Sequence, residues 1–253
     1  EDSLASLFQE GNMPDLLVDT GAVRANTEVI AGLLRDRGLE LVAVTKGCLG
    51  EPRVAAVMLA GGAVAAADAR DINLRKMREA LPGTELHRIH LPSLGQDFEP
   101  GDVNYVSSWE TAEAGGQSNG AGPSRVMLQV DTGDRREGVP LDQATGLAQR
   151  LAAHPELDLV GVATNYACLE EGDEGLRESV RALAETARRL RDEGLSVDRV
   201  SGGNSSVLWL VTRGEELPSE LTELRCGEAL ILGHDALRYQ SIPGCREDAC
   251  LIR

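Results

Sequence analysis

The sequence predicts a (β/α)8 TIM barrel. Three observations carry the prediction. Eight apolar runs of strand length recur along the chain, helix-period patterns lie between them, and aromatic residues make up only 3% of the chain. Runs rich in Val, Leu and Ala without strict alternation suit parallel strands buried on both faces. A core short of large rings must be built from Ala, Val and Leu, which suits a parallel sheet covered by helices. A length of 253 residues accommodates one such barrel or two modest domains.

The predicted strands are 39–46, 63–68, 85–91, 103–107, 125–131, 157–164, 197–202 and about 221–226. The first, LELVAVTK, ends in Lys46. A doubly wound open sheet would want a glycine-rich turn there instead. Barrels place their chemistry at the C-terminal ends of their strands. An amine held among apolar neighbours at such an end would resist protonation and attack carbonyls. The clearest helix presents Leu176, Val180, Leu183, Ala184, Ala187 and Leu190 on one face. Its other face carries Arg177, Glu178, Arg181, Glu185, Arg188 and Arg189, and Gly194 ends it. Leu141, Ala144, Ala148 and Leu151 form the same pattern in the preceding helix.

Both ends stand outside the barrel pattern. Residues 15–19 (DLLVD) form a short strand before the first helix. Residues 248–253 begin another apolar run and stop, so a further small β-domain is expected to follow. The expected division is a barrel over 1–240 and the start of a truncated C-terminal β-domain over 241–253. Residues 115–122 (GGQSNGAG) read as a surface loop.

The formal net charge of -16 argues against nucleic acid and anionic membranes as partners. No apolar stretch is long enough to span a bilayer, and the N-terminus lacks the basic start and apolar run of a signal peptide. Five scattered cysteines without a CxxC pair or a Cys/His cluster fit a reduced cytoplasmic protein with no metal site. Cys48, Cys168 and Cys226 lie near the motifs below, and read best as small buried hydrophobes.

Three later stretches give Lys46 its significance. In SGGNSS (201–206), two glycines let the backbone approach a ligand, and the serines can cap the helix predicted at 207–212. A Gly/Ser turn opening a helix offers N–H groups to a phosphate. It follows the seventh strand, and Arg225-Cys226-Gly227-Glu228 ends the eighth, where barrels commonly bind phosphate. In VDTGDRREGV (130–139), Arg136 follows the fifth strand between glycines, and a guanidinium there can donate to a phenolate or carboxylate. A surface loop with self-paired charges is the competing reading of that stretch.

Taken together, VTKG (44–47), ADARDINLRKM (67–77), VDTGDRREG (130–138), VSGGNSS (200–206) and LRCGEALILG (224–233) resemble the fold-type III pyridoxal-phosphate enzymes of the alanine racemase superfamily. The likeness is greatest to the ornithine racemase branch and runs from about residue 15 to 233. It implies a barrel of the alanine racemase N-terminal type with its C-terminal β-domain absent or truncated. It implies that Lys46 forms the Schiff base with pyridoxal 5'-phosphate and acts as one of two acid/base groups. Arg136 would face the phenolic oxygen and the substrate carboxylate. Ser205 with Gly203, Asn204 and the N–H groups of Gly227 and Glu228 would hold the phosphate. Arg225 would face the ring nitrogen, which it keeps unprotonated because a guanidinium only donates.

Two departures from the family pattern stand out. Asn165, counted among the cofactor-binding residues, occupies the loop after the sixth strand, where alanine racemases usually carry a histidine, with Tyr166 beside it to cover the ring. The second acid/base group is in the family a tyrosine from the partner subunit's β-domain. None of Tyr105, Tyr166 and Tyr239 lies in a matching motif. The resemblance thus implies a racemase of a basic amino acid such as ornithine, sharing its site across a homodimer. The alternative is a single-barrel pyridoxal-phosphate carrier without turnover. A lyase or aldolase of the same fold would call for a metal site, and no such spacing is visible. Asp134, Glu137, Glu170 and Glu228 are the acidic residues near the predicted mouth.

Overall fold

A computed structural model describes residues 16–90, 100–115, 122–166 and 172–252. Eight parallel strands close on themselves: β2 (Glu40–Val44), β3 (Ala65–Asp68), β4 (Leu86–Arg88), β5 (Val103–Val106), β6 (Ser124–Asp131), β8 (Leu157–Ala163), β9 (Arg199–Ser201) and β10 (Glu223–Cys226). Each pairs with the next, and β10 returns to β2 with Arg225 beside Val42 and Cys226 beside Ala43. The predicted barrel is therefore borne out. Every predicted strand is present, most trimmed at their ends by a residue or two and the third, 85–91, reduced to Leu86–Arg88.

Helices α1 (Thr20–Arg35), α2 (Pro52–Ala60), α3 (Asp71–Ala80), α4 (Trp109–Gly115), α5 (Ala144–Ala152), α6 (Gly172–Asp192), α7 (Leu208–Thr212) and α8 (Glu228–Leu232) surround it. The β4–β5 connection contains no helix among the described residues. Asp19 caps α1 by accepting from the Ala22 N–H at 3.0 Å. The apolar stripe of α6 is buried along its whole length, from Leu176 to Leu190. In the α5 pattern Ala144, Ala148 and Leu151 are buried, whereas Leu141 is 37% exposed. It precedes the first helical turn and so never reaches the buried face. No helix among the described residues is long and apolar enough to cross a membrane.

The barrel interior is divided. Val42, Val44, Ala65 and Ala67 cluster on β2 and β3, and Tyr105, Met127 and Ala163 on β5, β6 and β8. On β9 and β10 the buried residues include Ser201, Glu223 and Arg225. This polar wall lies next to the strand that carries Lys46. At the opposite rim Glu85 ties strands across the barrel: it accepts from Arg125 Nη1 at 2.8 Å and Arg199 Nη1 at 2.7 Å, and meets His87 Nε2 at 2.8 Å.

The chain ends form their own sheet. β1 (Leu16–Val18) pairs antiparallel with β11 (Cys250–Ile252). The segment leading into β11 packs on the barrel: Ile242 and Ala249 are buried in the main core, and Asn26 of α1 bonds both the N–H and the carbonyl of Arg246. A two-residue strand β7 (Val139–Pro140), not predicted, pairs with β6. Gly138 permits it: its φ is +116°, and a Cβ there would lie 2.4 Å from the Asp131 nitrogen. The predicted loop 115–122 lies almost wholly outside the described residues.

Candidate active site

Lys46 stands at the C-terminal end of β2, but not in the seat expected of it. The strand stops at Val44, Thr45 is buried, and Lys46 opens a one-turn 3-10 helix, Lys46–Cys48. That turn carries its side chain onto the barrel mouth, where it is exposed. The burial predicted for the amine is not found: the turn opens at Lys46, after the strand has ended, and the residue is exposed. The turn packs on α8: a Cβ on Gly47 would lie 3.6 Å from Ile231 Cδ1.

The SGGNSS turn lies against the first turn of α8. Ser205 is buried, and its Oγ accepts from the N–H groups of Gly227 at 3.3 Å and Ala229 at 3.4 Å. Gly203 has φ +124°, a conformation that side-chain-bearing residues rarely adopt. The serines do not cap the helix as expected. Asn204 caps only the 3-10 turn Ser205–Val207 that holds both serines, its Oδ1 accepting from the Ser206 N–H at 2.8 Å, and the helix Leu208–Thr212 beyond it has no side-chain cap. The amide of Asn204 donates to Asn165 Oδ1 at 2.8 Å and to the Tyr166 carbonyl at 3.2 Å, joining the loops after β8 and β9. Tyr166 is buried within the main core.

Gly227 joins this turn to the strand of Lys46. A Cβ there would come within 2.6 Å of the Val44 carbonyl oxygen, so only glycine fits between β10 and β2. The N–H groups in the first turn of α8, Glu228 included, belong to the donors that a helix leaves without an internal partner. Glu228 itself is exposed, with His234 Nδ1 3.9 Å away.

Arg225 is 5% exposed. Its guanidinium donates to Ser201 Oγ and, at 2.6 Å, to the Thr164 carbonyl, and its Cζ lies 5.0 Å from the centroid of the Tyr105 ring. These contacts from β5, β8 and β9 hold the plane of the guanidinium. Tyr105 is fully buried, and burial pushes its phenol well above the ordinary range, against the nearby Arg225 charge.

Arg136 occupies the β6–β7 loop. That loop is braced at its base by Asp131 Oδ1, which accepts from Gly133 and Arg135, and by Thr132, whose hydroxyl meets Thr164 at 2.5 Å and Ser179 at 2.6 Å. The Arg136 side chain is 57% exposed, and its ion pairs, to Asp134 and Glu137, lie within the loop at 3.6 Å. Lys46, Ser205, Arg225, Gly227 and Asn165 thus belong to one contiguous end of the barrel, with Arg136 on an adjoining loop. Glu170 and Cys168 lie outside the described residues. Cys226 is buried and its thiol is pushed up to about 12, and burial raises Cys48 to about 11, so both remain thiols at neutral pH. Thr45 and Asp68 lie in the VTKG and ADARDINLRKM stretches without a role assigned to either, and both are buried beside the Lys46 turn. The D of ADARD was the signal that could have found Asp68.

The family model for the alanine racemase N-terminal domain matches residues 18–235. A lysine racemase of Thermotoga maritima is 28% identical over 245 residues, covering 94% of this chain and 68% of its own length. An ornithine racemase of Acetoanaerobium sticklandii is 26% identical over 247 residues, covering 93% of this chain and 67% of its own. Among solved structures, the alanine racemase from Corynebacterium glutamicum superposes with a TM-score of 0.75 at 24% identity, over 92% of this chain and 66% of that one, a likeness of fold. The chain therefore spans about two thirds of the length of these relatives. Because the family model matches most of the chain, the chain belongs to the alanine racemase N-terminal domain family, the fold-type III group whose cofactor is pyridoxal phosphate.

Proposed function

We propose that this chain forms the cofactor-binding barrel of a pyridoxal-phosphate amino-acid racemase acting on a basic amino acid of the ornithine or lysine class. One observation carries the proposal: the lysine-bearing turn, the Gly/Ser turn and a buried arginine come together at the C-terminal end of the barrel. The residues suit the cofactor. Gly203 and Gly227 sit where the backbone runs too close or too twisted for a side chain, leaving N–H groups able to approach a phosphate. Arg225 is desolvated and oriented, and it can only donate.

When bound, pyridoxal phosphate supplies an aldehyde for the amine and a ring that draws electrons from the substrate α-carbon. Lys46 would carry it and move a proton at one face of that carbon. Ser205, Gly203, Asn204, Gly227 and Glu228 would hold the phosphate through hydroxyl and N–H donors. Asn165 steadies that turn through Asn204. Arg225 would meet the ring nitrogen and leave it unprotonated, which keeps negative charge near the α-carbon and favours its reprotonation. Arg136 is the guanidinium for a substrate carboxylate, since it is itself largely exposed and its pairs with Asp134 and Glu137, at 3.6 Å, are long. Those two carboxylates and Glu228 would then face a cationic side chain.

The acid/base group for the opposite face is proposed to come from a C-terminal β-domain of a partner copy, with the barrel ending near residue 240. The β1–β11 sheet supports this, since Leu16, Leu17, Leu251 and Ile252 all expose apolar surface that further β-structure could cover. The described cysteines 48, 226, 245 and 250 are free thiols, in keeping with a reducing, cytoplasmic setting. The names of the curated relatives favour turnover over a carrier role.

The proposal is tested by loading the protein with pyridoxal phosphate, reducing with borohydride and mapping the modified peptide. Modification is expected at Lys46 and lost in Lys46→Ala. Chiral chromatography after incubation with L-ornithine, L-lysine or L-alanine then assigns the substrate, with the chain alone and with it extended as in its relatives. Label elsewhere than Lys46, or none, would refute the cofactor role.

A further inference from the structure

The turn that presents Lys46 is clamped at both ends by buried polar contacts. Asp68, at the C-terminal end of β3, is fully buried. Its Oδ2 accepts from the Thr45 hydroxyl at 2.7 Å, and its Oδ1 accepts from the Arg70 N–H and the Asn73 amide, each at 3.0 Å. Thr45, also fully buried, is the residue immediately before Lys46. Its N–H donates to the Ala67 carbonyl at 2.9 Å, and its own carbonyl receives the N–H groups of Cys48 at 3.0 Å and Gly50 at 3.1 Å. The far end of the turn closes through two successive left-handed residues, Leu49 (φ 56°) and Gly50 (φ 60°). Gly50 lies hard against Asn73: a Cβ there would fall 2.4 Å from the Asn73 Cβ. One carboxylate thus holds the start of the turn through Thr45 and its end through Asn73.

A buried carboxylate is costly, and a core position flanked by Ala67 and Ala69 would accept an apolar side chain without that cost. Retaining Asp68 there makes sense if the orientation of the turn matters more than packing. The amine of Lys46 lies at the end of a flexible stem, so its aim depends on the backbone that carries it. Rotation of that backbone displaces the amine, and displacements of about 1 Å can cost on the order of a hundredfold in reaction rate.

We infer that Thr45 and Asp68 are positioning residues that set the Lys46 turn and so aim its amine at the cofactor aldehyde. The inference rests on the proposed function, in which Lys46 carries the cofactor. Neither residue touches the cofactor in this scheme; both act through the backbone of Lys46.

Two ligands separate aiming from folding. Pyridoxal phosphate engages both the phosphate turn and the amine. Pyridoxine 5'-phosphate has the same phosphate and ring but an alcohol in place of the aldehyde, so it engages the phosphate turn and Arg225 without bonding to the amine. Dissociation constants for both would be measured on protein freed of cofactor, with circular dichroism to verify the fold. Thr45→Val, which removes the hydroxyl at nearly constant shape, should weaken pyridoxal phosphate binding by about tenfold or more. It should leave pyridoxine 5'-phosphate binding unchanged, and Thr45→Ser should restore the first value. Asp68→Ala added to Thr45→Val should cost less than the two separate losses summed, because the two share the Thr45–Asp68 contact, while the Asn73 contact is lost only with Asp68. Should Asp68→Ala fail to fold, the Thr45 pair decides alone. Parallel losses for both ligands, or no loss for either, overturn the positioning role while leaving the proposed function standing. A parent protein that takes up neither ligand overturns the proposed function and this role with it.

Discussion

Gly227 shows how little latitude single residues of this site have. It sits where β10 passes β2, and any side chain would strike the Val44 carbonyl two residues before Lys46. Gly227→Val is expected to lower stability by about 1–3 kcal/mol by forcing the strands apart. It should also weaken pyridoxal phosphate binding, because Ser205 receives its N–H bond from the displaced backbone. Thermal melting and a cofactor titration check both effects. Gly146→Ala is the control: it lies in α5 with no atom near its added carbon, and should be neutral or stabilising by about 0.5–1 kcal/mol. Melting points that do not distinguish the two variants would show that the close approach at 227 relaxes freely. At this scale Lys46, Ser205 and Arg225 were legible because each stands in a short motif whose chemistry follows from residue type. Thr45 and Asp68 were not, since threonine and aspartate near a strand end are ordinary until a 2.7 Å contact joins them.

Among the elements, α6 separates the forces that matter from those that do not. Its apolar stripe is buried from Leu176 to Leu190, whereas the charges of Arg181 and Glu174 meet at 3.3 Å with more than half of each side chain exposed. Leu183→Ala should cost about 2–5 kcal/mol through lost burial and the cavity left behind. Arg181→Ala should leave the denaturation midpoint where it was, because water screens such pairs. Urea denaturation of the two variants tests this; a comparable loss in both would mean that the surface pair contributes as the core does. The helix was readable in advance because its period of 3.6 survives across 21 residues. Short elements were not. β7 is two residues long and exists because Gly138 folds the Arg136 loop back on Asp131, and the cap of the Ser205 turn depends on the rotamer of Asn204.

The molecule as a whole depends on closing eight strands, and Glu85 bridges β6 and β9 from the edge of β4. Its carboxyl is held far below the ordinary carboxylate range, first by the hydrogen bond from His87, then by Arg199 and Arg125, against a burial that pushes the other way. A depressed pKa means that the folded protein binds this proton more weakly than the unfolded chain. The stabilisation is therefore complete above the unfolded value of about 4.5 and is lost as pH falls below it toward the folded value. Glu85→Gln should accordingly melt below the parent at pH 7, and the gap should narrow only once the pH drops beneath about 4.5. A gap that is the same at pH 7 and in strong acid would show that Glu85 contributes shape rather than charge.

The sequence by itself determined the barrel, its eight strands and the residue types of its chemistry. Strand runs, helix periods and glycine-rich turns are local patterns, and local patterns are what a chain carries along its length. Only the tertiary structure decided how those residues meet. It set Lys46 on an exposed turn rather than in an apolar seat, paired Arg136 with carboxylates of its own loop, and hid Arg225 behind Ser201, Thr164 and Tyr105. It also joined the two chain ends into a sheet of their own. The reason is physical: burial, ion pairing and hydrogen-bond direction depend on residues distant in the chain that become neighbours only when the barrel closes.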